Sequence, residues 1–174
     1  MADADTNSID PRKLSTAEFA RLLGPANDAM DPRTFARLIK YASPEQLDAV
    51  LGDPVRRAES LDGIFGWMAG QFRPENGPSQ DSAIHWRITG GPDGDDVYET
   101  WITGTRSSPT PQCSTSKELS HDPRVTLTMS GNHFLALVSG NSVPAMMFIT
   151  RKVKLDGDLG FAANLTRFFD MPHA

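Results

Sequence analysis

A single cysteine, Cys113, serves the whole 174-residue chain. It excludes an internal disulfide and any metal site built from several thiolates. No apolar run reaches 18 residues, so no segment reads as a transmembrane helix. Basic residues are not in excess: 17 Lys and Arg stand against 22 Asp and Glu, a formal net charge of −5. With no basic stripe there is no electrostatic footprint for nucleic acid. The four histidines, His85, His121, His133 and His173, show no metal-ligand spacing. Gly-x-Ser-x-Gly and phosphate-binding glycine loops are missing. The acidic turn Asp93-Gly94-Asp95-Asp96 lacks the ligand alternation of a calcium loop. Ser114-x-x-Lys117 lacks its companion motifs. No catalytic, metal or cofactor site is therefore expected. The start, MADADTNSID, is acidic and polar, unlike a signal or transit peptide, and points to a cytoplasmic protein.

What the chain does have is concentrated between Val125 and Phe169. VTLTMS alternates, with Val125, Leu127 and Met129 on one face, as in a half-buried strand. Ser130 or Asn132 can cap a short helix striped by Phe134, Leu137 and Val138 and closed by Gly140. Pro144 opens a second short helix, VPAMMFI, apolar on nearly every side. Such a helix is expected to be covered by protein or to line something apolar. Adjacent methionines adapt to irregular neighbours, although Met and Phe at helical spacing more often simply form core. KVKLDGD returns to strand alternation, and a final helix over 158–169 carries Phe161, Leu165, Phe168 and Phe169.

This order (RVTLTMS, a helix with Phe134, Leu137 and Gly140, an apolar helical turn, KVKLDGD and a helix ending in paired phenylalanines) resembles the sterol carrier protein 2 (SCP2) sterol-binding family. The resemblance reaches back through SAIHWRITGG and YETWITG, from about Ser82 to Phe169. Where the family has Gly before Lys-x-Lys, this chain has Arg151, which is expected to alter the turn into the last strand.

Upstream, residues 1–13 are polar and read as a disordered tail. Residues 14–53 read as an N-terminal helical extension. Ser15-Thr16-Ala17-Glu18 is a capping box, and Asp31-Pro32, Ser43-Pro44 and Asp53-Pro54 each set a capping side chain before a helix-starting proline. The fourth helix runs to about Phe72 on the stripe Leu61, Ile64, Phe65, Met68 and Phe72. Its glycines, Gly63, Gly66 and Gly70, suggest close approach of another backbone. Residues 83–103 read as a hairpin with Ile84, Trp86 and Ile88 inward. Residues 104–122 read as a loop, with an edge strand near Gln112 to Ser114.

The expected fold is α/β (α+β): a mostly antiparallel sheet with helices on one side, residues 54–174 forming an SCP2-like lipid-binding domain. The resemblance implies non-catalytic binding of a fatty acyl chain, sterol or polyketide-like lipid in a cavity between sheet and helices. The expected wall is Trp86, Ile88, Phe134, Leu137, Val138, Val143, Met146, Met147, Phe161, Leu165 and Phe168. Gly157 and Gly160 would let the last helix swing as a lid. Two alternatives stay open. One is an enzyme or biosynthetic accessory protein using the same pocket, with His85, His133 or Asp158 as acid or base. The other is an interaction module with a closed cavity, its N-terminal helices meeting a second copy or a partner protein. Stable membrane insertion is not expected.

Overall fold

The computed structural model describes residues 10–23 and 31–170. The expectations for residues 1–9 and for His173 lie outside the described residues. The helices are α1 (Thr16–Leu22), α2 (Pro32–Tyr41), α3 (Pro44–Leu51), α4 (Pro54–Gly70), α5 (Gly131–Val138), α6 (Pro144–Ile149), α7 (Leu159–Ala163) and α8 (Leu165–Phe168). The strands are β1 (Ser82–Gly91), β2 (Gly94–Ile102), β3 (Cys113–Ser116), β4 (Val125–Ser130) and β5 (Val153–Gly157). They form one sheet in the order β3-β2-β1-β4-β5. Every pairing is antiparallel except β1 with β4. The architecture is the expected mixed α/β one, with β3 at an edge and β5 at the other.

Local chemistry sets the helix starts. Ser15 and Ser43 make complete capping boxes with Glu18 and Gln46. Asp31 and Asp53 each accept two backbone N–H groups ahead of a proline. Gln46 also reaches back to the start of the described chain, where its Nε2 donates to the carbonyls of Pro11 at 2.8 Å and Leu14 at 2.9 Å. Residues 10–13, which composition assigns to a tail, instead form a 3-10 turn over Pro11–Lys13, capped by Asp10 and with Pro11 buried.

Ile84, Trp86 and Ile88 of β1, with Val125, Leu127 and Met129 of β4, face the helices and are buried. Phe65 of α4 is the hub. Its ring stacks on Tyr98 at 4.1 Å and on Phe134 at 4.8 Å, and meets Trp86 edge-on at 5.7 Å. Phe19, Leu38 and Val50 of the N-terminal helices belong to the same buried cluster, so α1–α3 share one core with the sheet. Gly66 and Gly70 of α4 do not serve close approach: a Cβ at either would meet nothing within 4 Å.

Arg57, 3% exposed, ties α4 to the far end of the hairpin. Its Nε donates to Asp96 at 2.6 Å, and its Nη atoms donate to the carbonyls of Leu51, Ile88 and Thr89. A buried guanidinium is tolerable only with acceptors supplied in this way. Nothing in a polar Arg-Arg pair at a helix start announces that role.

Candidate functional site

The C-terminal third positions the site through two helix ends of the same kind. After α5, Gly140 adopts φ 75°, its N–H donates to Leu137 and the Asn141 N–H donates to Ala136. After α6, Arg151 adopts φ 58°, donating to Phe148 at 3.1 Å while Lys152 donates to Met147 at 2.8 Å. Both are Schellman closures, which usually place glycine in the left-handed position. At the turn into β5 an arginine thus bears the left-handed conformation that glycine usually takes.

Helix α6 sits at the surface. Only Met147 is buried, while Met146 is 54% exposed, Phe148 46% and Ile149 70%. Of the two expectations for an all-apolar helix, cover by protein and the lining of something apolar, α6 meets the second: Pro144, Ala145, Phe148 and Ile149 line an apolar groove. The final helix is likewise not continuous: α7 and α8 are separated at Asn164, whose side chain donates to the Gly160 carbonyl.

Between α6, β5 and α7 lies an apolar groove of about 200 Å³. Its lining is Pro144, Ala145, Phe148, Ile149, Leu155, Leu159, Ala162 and Ala163, without one polar side chain. Beside it, sharing Phe148, Ile149 and Leu155, a shallower cleft of about 460 Å³ is completed by Val153 and by the cations Arg151 and Lys154.

The eleven residues expected as a cavity wall fall into two groups. Trp86, Ile88, Phe134, Leu137, Val138, Met147, Phe161, Leu165 and Phe168 are buried together in the core, with Trp86 edge-on to Phe134 at 5.9 Å and Phe161 against Phe168 at 5.1 Å. Val143 and Met146 are exposed. None of the eleven lines the groove, which is formed by their neighbours on α6 and α7. Sequence reasoning missed Phe148 because an all-apolar segment carries no period to mark its faces, and Ala162 and Ala163 because the stripe read in their segment is Phe161, Leu165 and Phe168.

The polar candidates are engaged elsewhere. On the outer face of the sheet, Glu99 accepts from His85 Nε2 at 2.9 Å, His121 Nδ1 at 2.7 Å, and the backbone N–H groups of Ser120 and His121. Burial pushes this carboxyl up, but the bonds from His121 and His85 outweigh burial and hold it below the ordinary carboxylate value. His121 also stacks on Trp101 with ring centroids 3.6 Å apart. Asp158 caps α7 through the Phe161 N–H at 2.9 Å and pairs with Arg124 at 3.0 Å; both hold its carboxyl low. His133 is half-buried on α5, its backbone N–H donating to the capping Ser130. None of these lines the groove. Burial raises the Cys113 thiol to about 12, so it is protonated near neutral pH. Among the described residues no cluster of three His, Cys, Asp or Glu could hold a metal ion, and no helix is long and apolar enough to cross a membrane.

The last described residues are anchored. Phe169 bridges to Phe72, Arg73 N donates to the Phe168 carbonyl, and Asp170 N donates to that of Gln71, each of the last two at 2.7 Å. An ion pair between Arg73 and Asp170 reinforces them. A lid swinging freely from its C-terminal end does not fit these ties.

Residues 99–170 match the model of the SCP-2 sterol transfer family. No curated protein matches the sequence. Among solved structures, a double mutant of the sec-alkyl sulfatase PisA1 is 13% identical with a TM-score of 0.51; the match covers 91% of this chain and 27% of the sulfatase. The chain thus spans about a quarter of that protein, and the likeness concerns the fold alone. Sterol Carrier Protein 2 from Yarrowia lipolytica, in its apo form, is 20% identical with a TM-score of 0.38, covering 81% of this chain and 96% of that one. Palmitated SCP2L2 from Aedes aegypti is 18% identical with a TM-score of 0.46, covering 66% and 94%.

Proposed function

We propose that this chain, whose residues 99–170 match the model of the SCP-2 sterol transfer family, binds an apolar small molecule without chemical change to it. The ligand class is a fatty acyl chain, a sterol or a polyketide-like lipid. The observation that carries this reading is the groove between α6, β5 and α7, whose eight lining residues offer hydrocarbon alone. Each methylene buried there gains about 0.8 kcal/mol before the ordering costs of binding. A groove of about 200 Å³ is smaller than the usual pocket for a whole ligand, so it receives one arm of the molecule. Ala162 in its wall belongs to the same packed cluster as Met147 and Phe161, and Leu155 packs against that cluster. Separation of α6 from α7 would extend the groove inward along those side chains.

The test is native mass spectrometry of the purified protein, followed by displacement of a fluorescent fatty acid. Ala163→Phe, at an exposed lining position, fills the groove without entering the core. The expected results are a co-purified lipid mass and at least tenfold weaker uptake by the variant. Unchanged uptake by a folded Ala163→Phe protein would move the ligand elsewhere.

A further inference from the structure

We propose that the face formed by α6 and the adjoining edge of β5 docks on the surface of an anionic lipid bilayer. Among the described residues eight large hydrophobic side chains are exposed. Five of them, Val143, Met146, Phe148, Ile149 and Leu159, lie at the N-cap of α6, on α6 or at the start of α7, and three of these, Phe148, Ile149 and Leu159, line one groove and form a patch. A concentrated patch marks an interaction surface.

Charge says what covers it. Arg151, Lys152 and Lys154 follow α6 directly, are exposed, and take part in none of the ion pairs found among the described residues. Arg151 and Lys154 line the same shallow cleft as Phe148 and Ile149, which puts the cations at the rim of the apolar patch. The protein as a whole carries a net charge of −5, so this local excess of positive charge runs against the average. Of the two acidic residues in the same stretch of chain, Asp156 and Asp158, the latter is already paired with Arg124.

Arg151 adds an independent indication. It occupies the left-handed position that closes α6, at φ 58°, where glycine would be unstrained. A backbone outlier held against its preference is a feature to be explained by function. Here it sets a guanidinium beside Phe148 and Ile149. Apolar side chains that dip into the acyl boundary, with Lys and Arg at headgroup level, are the pattern of an interfacial helix. A second copy of this chain fits less well, because a two-fold contact through this face would set one cationic rim against the other.

The proposal does not depend on the groove holding a ligand, and the test keeps the two apart. Sedimentation with vesicles of phosphatidylcholine alone is compared with vesicles containing about 30% phosphatidylserine, at low and high salt. Binding is expected on the anionic vesicles alone and should weaken as salt rises. Ile149→Asp, at a position 70% exposed, should lose more than tenfold in vesicle affinity. Arg151→Gly should lose about fivefold while its melting temperature stays level or rises, which separates lost charge from lost fold. Ala163→Phe should bind vesicles as the parent does, whatever becomes of its fatty-acid uptake. Equal binding to neutral and anionic vesicles, no vesicle binding at all, or parent-like affinity in both Ile149→Asp and Arg151→Gly would overturn the proposal. So would a solution dimer that Ile149→Asp dissociates in the absence of vesicle binding, which would give the face to a second copy.

Discussion

Arg57 and Glu99 show how single buried charges are kept in this protein, and each predicts a measurable loss. Arg57→Ala would leave Asp96 without its partner and strip donors from the carbonyls of Leu51, Ile88 and Thr89. The expected cost is about 3 kcal/mol in urea denaturation, the usual penalty for breaking a buried pair by removing one member. Glu99 is 3% exposed and has a folded-state pKa held below its unfolded value of 4.5. Stability from its ionised form is therefore complete above about pH 4.5 and is lost as pH falls through the depressed folded value. Glu99→Gln should cost about 2 kcal/mol near neutral pH, and its deficit against the parent should shrink in urea titrations run at progressively lower pH. A deficit independent of pH would mean that the carboxylate charge contributes nothing. At Arg151 two small effects oppose: relief of left-handed strain by glycine is worth about 1–2 kcal/mol, and the added freedom of the unfolded chain costs about 0.4–1 kcal/mol. The balance is a slight gain.

At the scale of elements, α4 carries the core, and Phe65 is its centre. Removing that ring leaves Tyr98, Phe134 and Trp86 without their common partner. Phe65→Ala should destabilise by about 4 kcal/mol, measured by chemical denaturation with the slope unchanged. Helix starts were the most legible features of the sequence because caps are local: Ser15, Asp31, Ser43 and Asp53 each act within three residues of themselves. The strands of the hairpin and β4 were legible by alternation. The parallel pairing of β1 with β4 was not, since it joins Ile84 to Val125, far apart in the chain, and nothing local sets that register. The fate of α6 was not legible either. Its composition names it as special, but periodicity cannot say which side of an all-apolar helix meets water. The segment holding the candidate groove stands out in the sequence, while its faces do not: Met147 and Phe161 are buried, and Phe148, Ala162 and Ala163 line the groove. The break at Asn164 was missed because Leu165 and Phe168 continue a helical spacing through it.

Across the whole molecule, the N-terminal helices and the sheet close over one buried cluster, and the segment after α8 is pinned back to the end of α4 through Phe72, Arg73 and Gln71. Among the described residues the exposed apolar side chains concentrate around α6 and the start of α7, beside β5, with cations at the rim. An apolar guest would enter there, next to the surface on which the protein would rest. The decisive measurement is a methyl-resolved NMR titration with a fatty acid, following Ile149, Leu155 and Leu159 against Ile84, Ile88 and Val125 of the packed sheet. Binding in the groove predicts saturable shifts confined first to Ile149, Leu155 and Leu159. Saturable shifts at Ile84, Ile88 and Val125 with the three groove residues unmoved would contradict it.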